Sequence, residues 1–159
     1  MRWLSDDEQC AWRAYLEATQ RLFEQLDREL QHDVGMPLAY YQILAMLSEA
    51  PEHTLRMSDL AQLTWSSRSR VSHAVDRLEE KGWVERISCP SDKRGAFAVL
   101  TAAGLQVLQA AAPSHVSSVR RLVFDDLSAE ELAAFAGLSR KIAERLDAGA
   151  ATDDGVPLP

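Results

Sequence analysis

"SSRSRVSHAVDRLEEKGWVERISCPSDKRGAFAVL", residues 66–100, carries two periodicities in succession. Up to Lys81 the apolar residues Val71, Val75 and Leu78 recur at helical steps, and Gly82 stops the pattern. "WVERI" and "AFAVL" then alternate with period two, as half-buried strands do. Between them lies "SCPSDKRG", rich in turn formers, with Lys93 and Arg94 near its tip. Just upstream, "RMSDLAQLTW" reads as a short helix capped by Ser58, and a brief turn at Thr64–Trp65 leads into a helix capped by Ser66. Helix, short turn, helix and hairpin in that order form a winged helix-turn-helix pattern.

On a helical wheel, Val71, Val75 and Leu78 must pack on the body. Ser66, Ser69, Arg70, His73 and Arg77 fall on the opposite side, with Asp76 and Glu80 nearby. Short hydroxyls, arginine and histidine suit a DNA major groove, because arginine can donate two hydrogen bonds to guanine and serine can bond bases or phosphates. The N-terminal turn of such a helix also offers backbone N–H groups to a phosphate. The formal net charge of −7 opposes nucleic-acid binding, but between Ser66 and Gly95 seven cations face five anions. A locally basic segment on an acidic body still binds phosphate, since screening limits repulsion to about 10 Å.

The flanking sequence is helical. Ser5 and Glu8 have the spacing of a capping box, followed by an apolar stripe of Ala11, Tyr15, Ala18, Leu22, Leu26 and Leu30. "VGMP" ends that helix near Asp33, with Gly35 suited to its C-terminal cap and Pro37 to the first turn of the next helix, which stops before Pro51. Thr101 caps a helix running to about Asp126. Ser128 and Glu131 form a second capping box ahead of the stripe Leu132, Phe135, Leu138, Ile142 and Leu146. "AGAATDDGVPLP" reads as a disordered tail. The fold class expected is mainly α with a small β-hairpin wing.

Composition narrows the function. No apolar run approaches the roughly 20 residues that span a bilayer. "MRWLSDDEQC" turns acidic and polar at once, unlike a signal peptide, so a cytoplasmic protein is expected. Two cysteines and four histidines show neither a disulfide framework nor close metal-ligand spacing, and no cofactor is expected. Serine-nucleophile, phosphate-loop and zinc-protease motifs are missing, which argues against an enzyme. A winged helix that binds protein instead of DNA is the alternative interaction class.

"DRLEEKG" at 76–82, "VER" at 84–86, "DKR" at 92–94 and "LTAAG" at 100–104 resemble the MarR family of winged-helix transcriptional regulators. The likeness extends through the flanking helices. Lys93 stands where the family usually has arginine, and Trp83 where a smaller apolar residue is common. The resemblance implies a homodimer on a near-palindromic double-stranded DNA site, with repression the commoner outcome. Segments 1–36 and 102–147 would form the dimerisation body, 37–101 the DNA-binding domain and 148–159 the tail. It implies that Ser69, Ser72 and His73, with Arg70, read bases. Ser66, Ser67, Arg68, Arg77 and Arg56 would hold phosphates, and Lys93 and Arg94 would reach the minor groove or its backbone. Arg86, also counted in the DNA-binding set, would orient the wing through Asp92. It further implies release by a small aromatic or phenolic ligand, for which Trp12, Tyr15, His32, Tyr40 and Tyr41 are candidates, with Trp3 and His53 beside them. The alternative trigger is oxidation of Cys89, whose pKa nearby cations would lower, or of Cys10.

Overall fold

The computed structural model describes residues 1–89 and 92–153, with side chains described for 1–88 and 95–147. The chain forms one compact unit over Met1–Ser118 and a second beginning at Val119.

In the first unit α1 (Asp6–Val34) starts at the predicted capping box: Glu8 N–H donates to Ser5 Oγ at 3.2 Å and Ser5 N–H to the Glu8 carboxylate at 2.8 Å. Gly35 closes the helix in the left-handed region at φ 67°. Pro37 is the N-cap of α2 (Leu38–Glu49) and not part of its first turn. Proline has no capping side chain, so the Leu38 N–H is satisfied from α1, by Asp27 Oδ1 at 2.8 Å. A single 3₁₀ turn, Pro51–His53, leads to a strand that sequence periodicity did not indicate, β1 (Thr54–Arg56).

The helix pair follows as α3 (Met57–Leu63) and α4 (Arg68–Glu80), but both caps differ from expectation. Arg56 leaves β1 in extended geometry and is itself the N-cap of α3, so Ser58 lies inside the first turn and donates to Asp59 at 3.0 Å. At the junction, Trp65 N–H donates to Gln62 O at 3.1 Å and Ser66 N–H to Ala61 O at 3.0 Å. This pair of bonds is a Schellman closure of α3. It uses Ser66, and the N-cap of α4 passes to Ser67, whose Oγ accepts from Arg70 N–H at 3.4 Å.

Strands β2 (Val84–Cys89) and β3 (Asp92–Leu100) form the hairpin, longer than its alternating cores suggested. β1 pairs with the outer side of β3, giving an antiparallel sheet ordered β1-β3-β2, with Arg56 opposite Phe97 and Arg86 opposite Ala98. The core gathers Leu30, Met36, Leu44 and Leu47 with Leu60, Val71, Val75, Leu78, Val84 and Ala98, all nearly or fully buried. Burying each valine, leucine or methionine among them contributes about 1.5–3 kcal/mol. Helix α4 is thereby fixed by one face, as its wheel predicts.

Thr101 caps α5 (Ala102–Val119) and ties it to the hairpin base. Its Oγ1 accepts from Gly104 N–H at 3.0 Å and donates to Gly82 O at 2.7 Å, while its N–H donates to Trp83 O at 3.1 Å. Within this unit Ser114 of α5 donates to Asp33 of α1 at 2.6 Å, and Ser118 to Glu29.

In the second unit the helical path expected up to Asp126 turns π-helical over Arg120–Phe124, where Asp125 N–H reaches back to Arg120 O at 2.8 Å. The capping box of Ser128 and Glu131 is present, at 2.9 and 3.2 Å. Helix α6 (Ala129–Asp153) runs on into the stretch read as a tail, whose remainder, 154–159, lies outside the described residues. Its alanines explain the extension, since alanine has the best helix propensity. Phe124 and Phe135 meet edge to face at 6.4 Å.

Candidate nucleic-acid interface

Helix α4 buries Val71, Val75 and Leu78 and leaves Ser69, Arg70, His73 and Arg77 exposed, dividing its two faces as the wheel expects. Its first turn is the most open part. Ser67, Arg68, Ser69 and Arg70 are all exposed, and Ser67 Oγ and Ser69 Oγ lie 3.2 Å apart. Among the described residues neither Arg68 nor Arg70 has a carboxylate partner in an ion pair. The helix N-terminus adds the positive end of its dipole to these cations.

Arg77 is different. It is paired with Glu80 at 2.8 Å on an exposed surface, and that hydrogen bond holds its guanidinium still more firmly in the charged form. Exposed pairs of this kind contribute about 0.2–1 kcal/mol, so a phosphate can displace the carboxylate. Tyr40 flanks the same surface, lining a shallow groove with His73, Ala74 and Arg77.

Arg86 turns inward to α4. Its Nη2 lies 2.8 Å from Asp76 Oδ1 and 3.2 Å from Ser72 O, its Nε 3.5 Å from Glu79 Oε2, and its backbone N–H donates to Glu79 Oε1 at 2.8 Å. A hairpin residue thus grips three successive polar positions of α4, one helical turn apart. Ser72, expected to read bases, contributes its carbonyl to this clamp and its side chain is only partly exposed. The side chain of Asp92, expected to partner Arg86, lies outside the described residues, as do those of Lys93, Arg94 and Cys89. The backbone of Lys93 and Arg94 belongs to β3.

Beside the clamp is a cleft of about 530 Å³ whose lining includes Arg56, Arg68, Arg86, Ser58 and Ser72. Arg56 is set there by β1, its guanidinium 5.4 Å from the Phe97 ring centroid across the strand pair. Three arginines from three elements converge on one concavity, which suits an anionic oxygen. Neither the clamp nor the shared cleft follows from local sequence pattern. Both depend on strand register, which decides which α4 residues Arg86 faces.

The five residues considered for a small aromatic ligand are not drawn into one cluster by their contacts. Trp12 and Tyr15 stack on each other at 6.0 Å on the exposed face of α1, and His32 pairs with the adjacent Asp33 at 3.0 Å. Tyr40 faces α4, whereas Tyr41 meets His115 of α5 at 4.3 Å. His115 was not anticipated; its Nδ1 is buried with no hydrogen-bond partner among the described residues, and burial lowers its pKa. Cys10 is free and exposed. Among the described residues no cluster of His, Cys, Asp or Glu is arranged to hold a metal, and no helix is long and apolar enough to cross a membrane.

An antiparallel three-stranded sheet behind a helix-turn-helix, with the second helix presenting its polar face, defines a winged helix-turn-helix protein. The sequence pattern of the MarR family matches residues 34–95. The transcriptional regulator HosA of Escherichia coli O111:H- is 30% identical over 123 residues, spanning 77% of this chain and 89% of HosA. Among solved structures, Sco3205, a MarR family transcriptional regulator from Streptomyces coelicolor in complex with DNA, is 48% identical with a TM-score of 0.89, covering 100% of this chain and 98% of that one. AbsC, another MarR family regulator from the same organism, is 46% identical with a TM-score of 0.84, covering 93% and 99%. The chain belongs to the MarR family of transcriptional regulators.

Proposed function

We propose that this chain is a transcriptional regulator, acting as a repressor, that binds a near-palindromic double-stranded DNA site as a homodimer. The observation that carries the reading is the first turn of α4: a serine-capped helix start with Ser69, Arg68 and Arg70 exposed, on a helix whose opposite face is locked in the core. Arg70, Ser69 and His73 read base edges in the major groove. Ser66, Ser67, Arg68, Arg77 and Arg56 hold phosphates, and Lys93 and Arg94 reach the adjacent minor groove or its backbone. Arg86 acts one step back, fixing hairpin and recognition helix in one orientation.

The dimer rests on unpartnered apolar surface. Trp12, Tyr15, Leu16 and Phe23 of α1 are exposed, as are Leu132, Phe135, Leu138, Ile142 and Leu146 of α6. Stripes of this length on soluble helices are interaction surfaces. A two-fold assembly would present two recognition helices one helical turn of DNA apart. A small aromatic effector is the inducer class, and the Tyr41–His115 pair, with its unsatisfied ring nitrogen, is the polar and aromatic feature that favours it.

Fluorescence anisotropy of a labelled duplex from the gene's own upstream region, against a scrambled duplex at two salt concentrations, tests the reading. Tighter binding to the upstream duplex, with affinity falling steeply in salt, is expected. Equal, salt-independent binding to both would reject it.

A further inference from the structure

Trp65 sits where a glycine is ordinary. It is the residue just past the end of α3 in a Schellman closure, with its backbone at φ 50°. This left-handed conformation is disfavoured for any residue with a Cβ and most of all for a bulky one. Burial does not explain the choice, because Trp65 is 81% exposed. The other non-glycine residues with positive φ among those described, Glu52 and His53, belong to the turn before β1. Conformational preference and water both disfavour a tryptophan here.

Its location supplies the missing partner. Trp65 is two residues before the N-cap Ser67 and three before the first turn of α4, which carries Arg68, Ser69 and Arg70. In a helix-turn-helix the first helix crosses the DNA backbone and the N-terminal residues of the second enter the major groove. The linking turn therefore lies at the groove wall. Duplex DNA offers apolar surface at that place in deoxyribose carbons and thymine methyl groups.

Resting on the DNA-binding reading above, we propose that Trp65 is a DNA-contacting residue that lays its indole on the apolar surface of the groove wall, beside the phosphates held by the first turn of α4. At the helix junction the side chain is left open to solvent, free to meet a partner. Apolar contact also explains how an acidic protein adds affinity without another cation.

Trp65→Gly is the decisive variant, because it relieves the backbone and removes the ring together. With the tightest duplex recovered from a random-sequence library as probe, the dissociation constant should rise about tenfold, with an unchanged salt slope. The melting temperature should hold or increase. Affinity within about twofold of wild type would overturn the proposal. So would a parallel loss of affinity and melting temperature, which would mean that the ring serves the fold. Replacing thymidines at the site edges by deoxyuridine separates the two apolar sources. Loss in wild type but not in the variant assigns the methyl group, and no loss assigns deoxyribose. In protein labelled with 5-fluorotryptophan the resonance absent from Trp65→Gly should be the one that shifts on adding duplex. If wild type selects no duplex from the library, the DNA-binding reading itself fails. Selection by wild type with an indifferent variant removes Trp65 alone.

Discussion

Replacing Gly104 with alanine puts the tie between wing and helical body to a direct test. A Cβ built on Gly104 would lie 2.1 Å from Trp83 O and 2.8 Å from Leu100 Cδ1, against 3.4–4 Å for ordinary contact. The leucine methyl can turn aside; the carbonyl cannot. Trp83 O accepts the Thr101 N–H at 3.1 Å, and Thr101 Oγ1 both caps α5 through Gly104 N–H and holds Gly82 O at 2.7 Å. Making room for one methyl therefore means withdrawing α5 from the hairpin base and stretching this set of bonds. Overpacking a rigid site costs about 1–3 kcal/mol, and weakening a hydrogen bond about 1 kcal/mol more. Alanine's better helix propensity returns up to about 1 kcal/mol, less in a first turn. A net destabilisation of about 1.5–3.5 kcal/mol follows, or a melting temperature lower by roughly 3–14 °C for a chain of this size. Circular dichroism melts of both proteins at one fixed protein concentration measure it. A melting temperature within about 2 °C of wild type would refute the claim that the Gly104 backbone must approach Trp83 this closely.

Three further outcomes are expected. Arg86→Ala removes two partly exposed ion pairs and a bond to Ser72 O and should cost about 2 kcal/mol, with a non-additive result when combined with Asp76→Asn in a double-mutant cycle; additivity would dissolve the clamp. Burial lowers the pKa of His115 below its ordinary 6.5, so the unfolded chain binds the proton first as pH falls, and stability contributed by the neutral ring is present above that value and lost below it. The drop in melting temperature between about pH 7.5 and about pH 5.5 should therefore shrink in His115→Phe, and an unchanged drop would count against this assignment. Leu138→Glu, on the exposed stripe of α6, should turn a dimer into a monomer by light scattering after size exclusion, whereas a dimer of unchanged mass would take α6 out of the interface.

What could be read from sequence was local. The two capping boxes need only residues three apart, and both occur where the spacing put them. Val71, Val75 and Leu78 announce the buried face of α4 because helical period is a property of neighbours. Local pattern is silent where distant chain decides. β1 is three residues long and owes its existence to β3, far along the sequence. Ser66 and Ser67 are equally good caps in composition, and the Schellman closure at the end of α3 chose between them. The residue type at Arg86 is plain from sequence, but its partners are selected by hairpin register. The five candidates for an aromatic ligand lie on two helices, α1 and α2, and no local pattern states which helix faces meet.

The clamp on Arg86 also changes what an approaching polyanion meets. Asp76 and Glu79 are countered by a guanidinium from the hairpin, and Glu80 by Arg77 within the helix. By formal count α4 is a mixed-charge helix, yet each of its three carboxylates has an arginine partner, two of them sharing Arg86, while Arg68 and Arg70 stay exposed. Losing Arg86 would do more than loosen a joint: it would uncover negative charge on α4 itself.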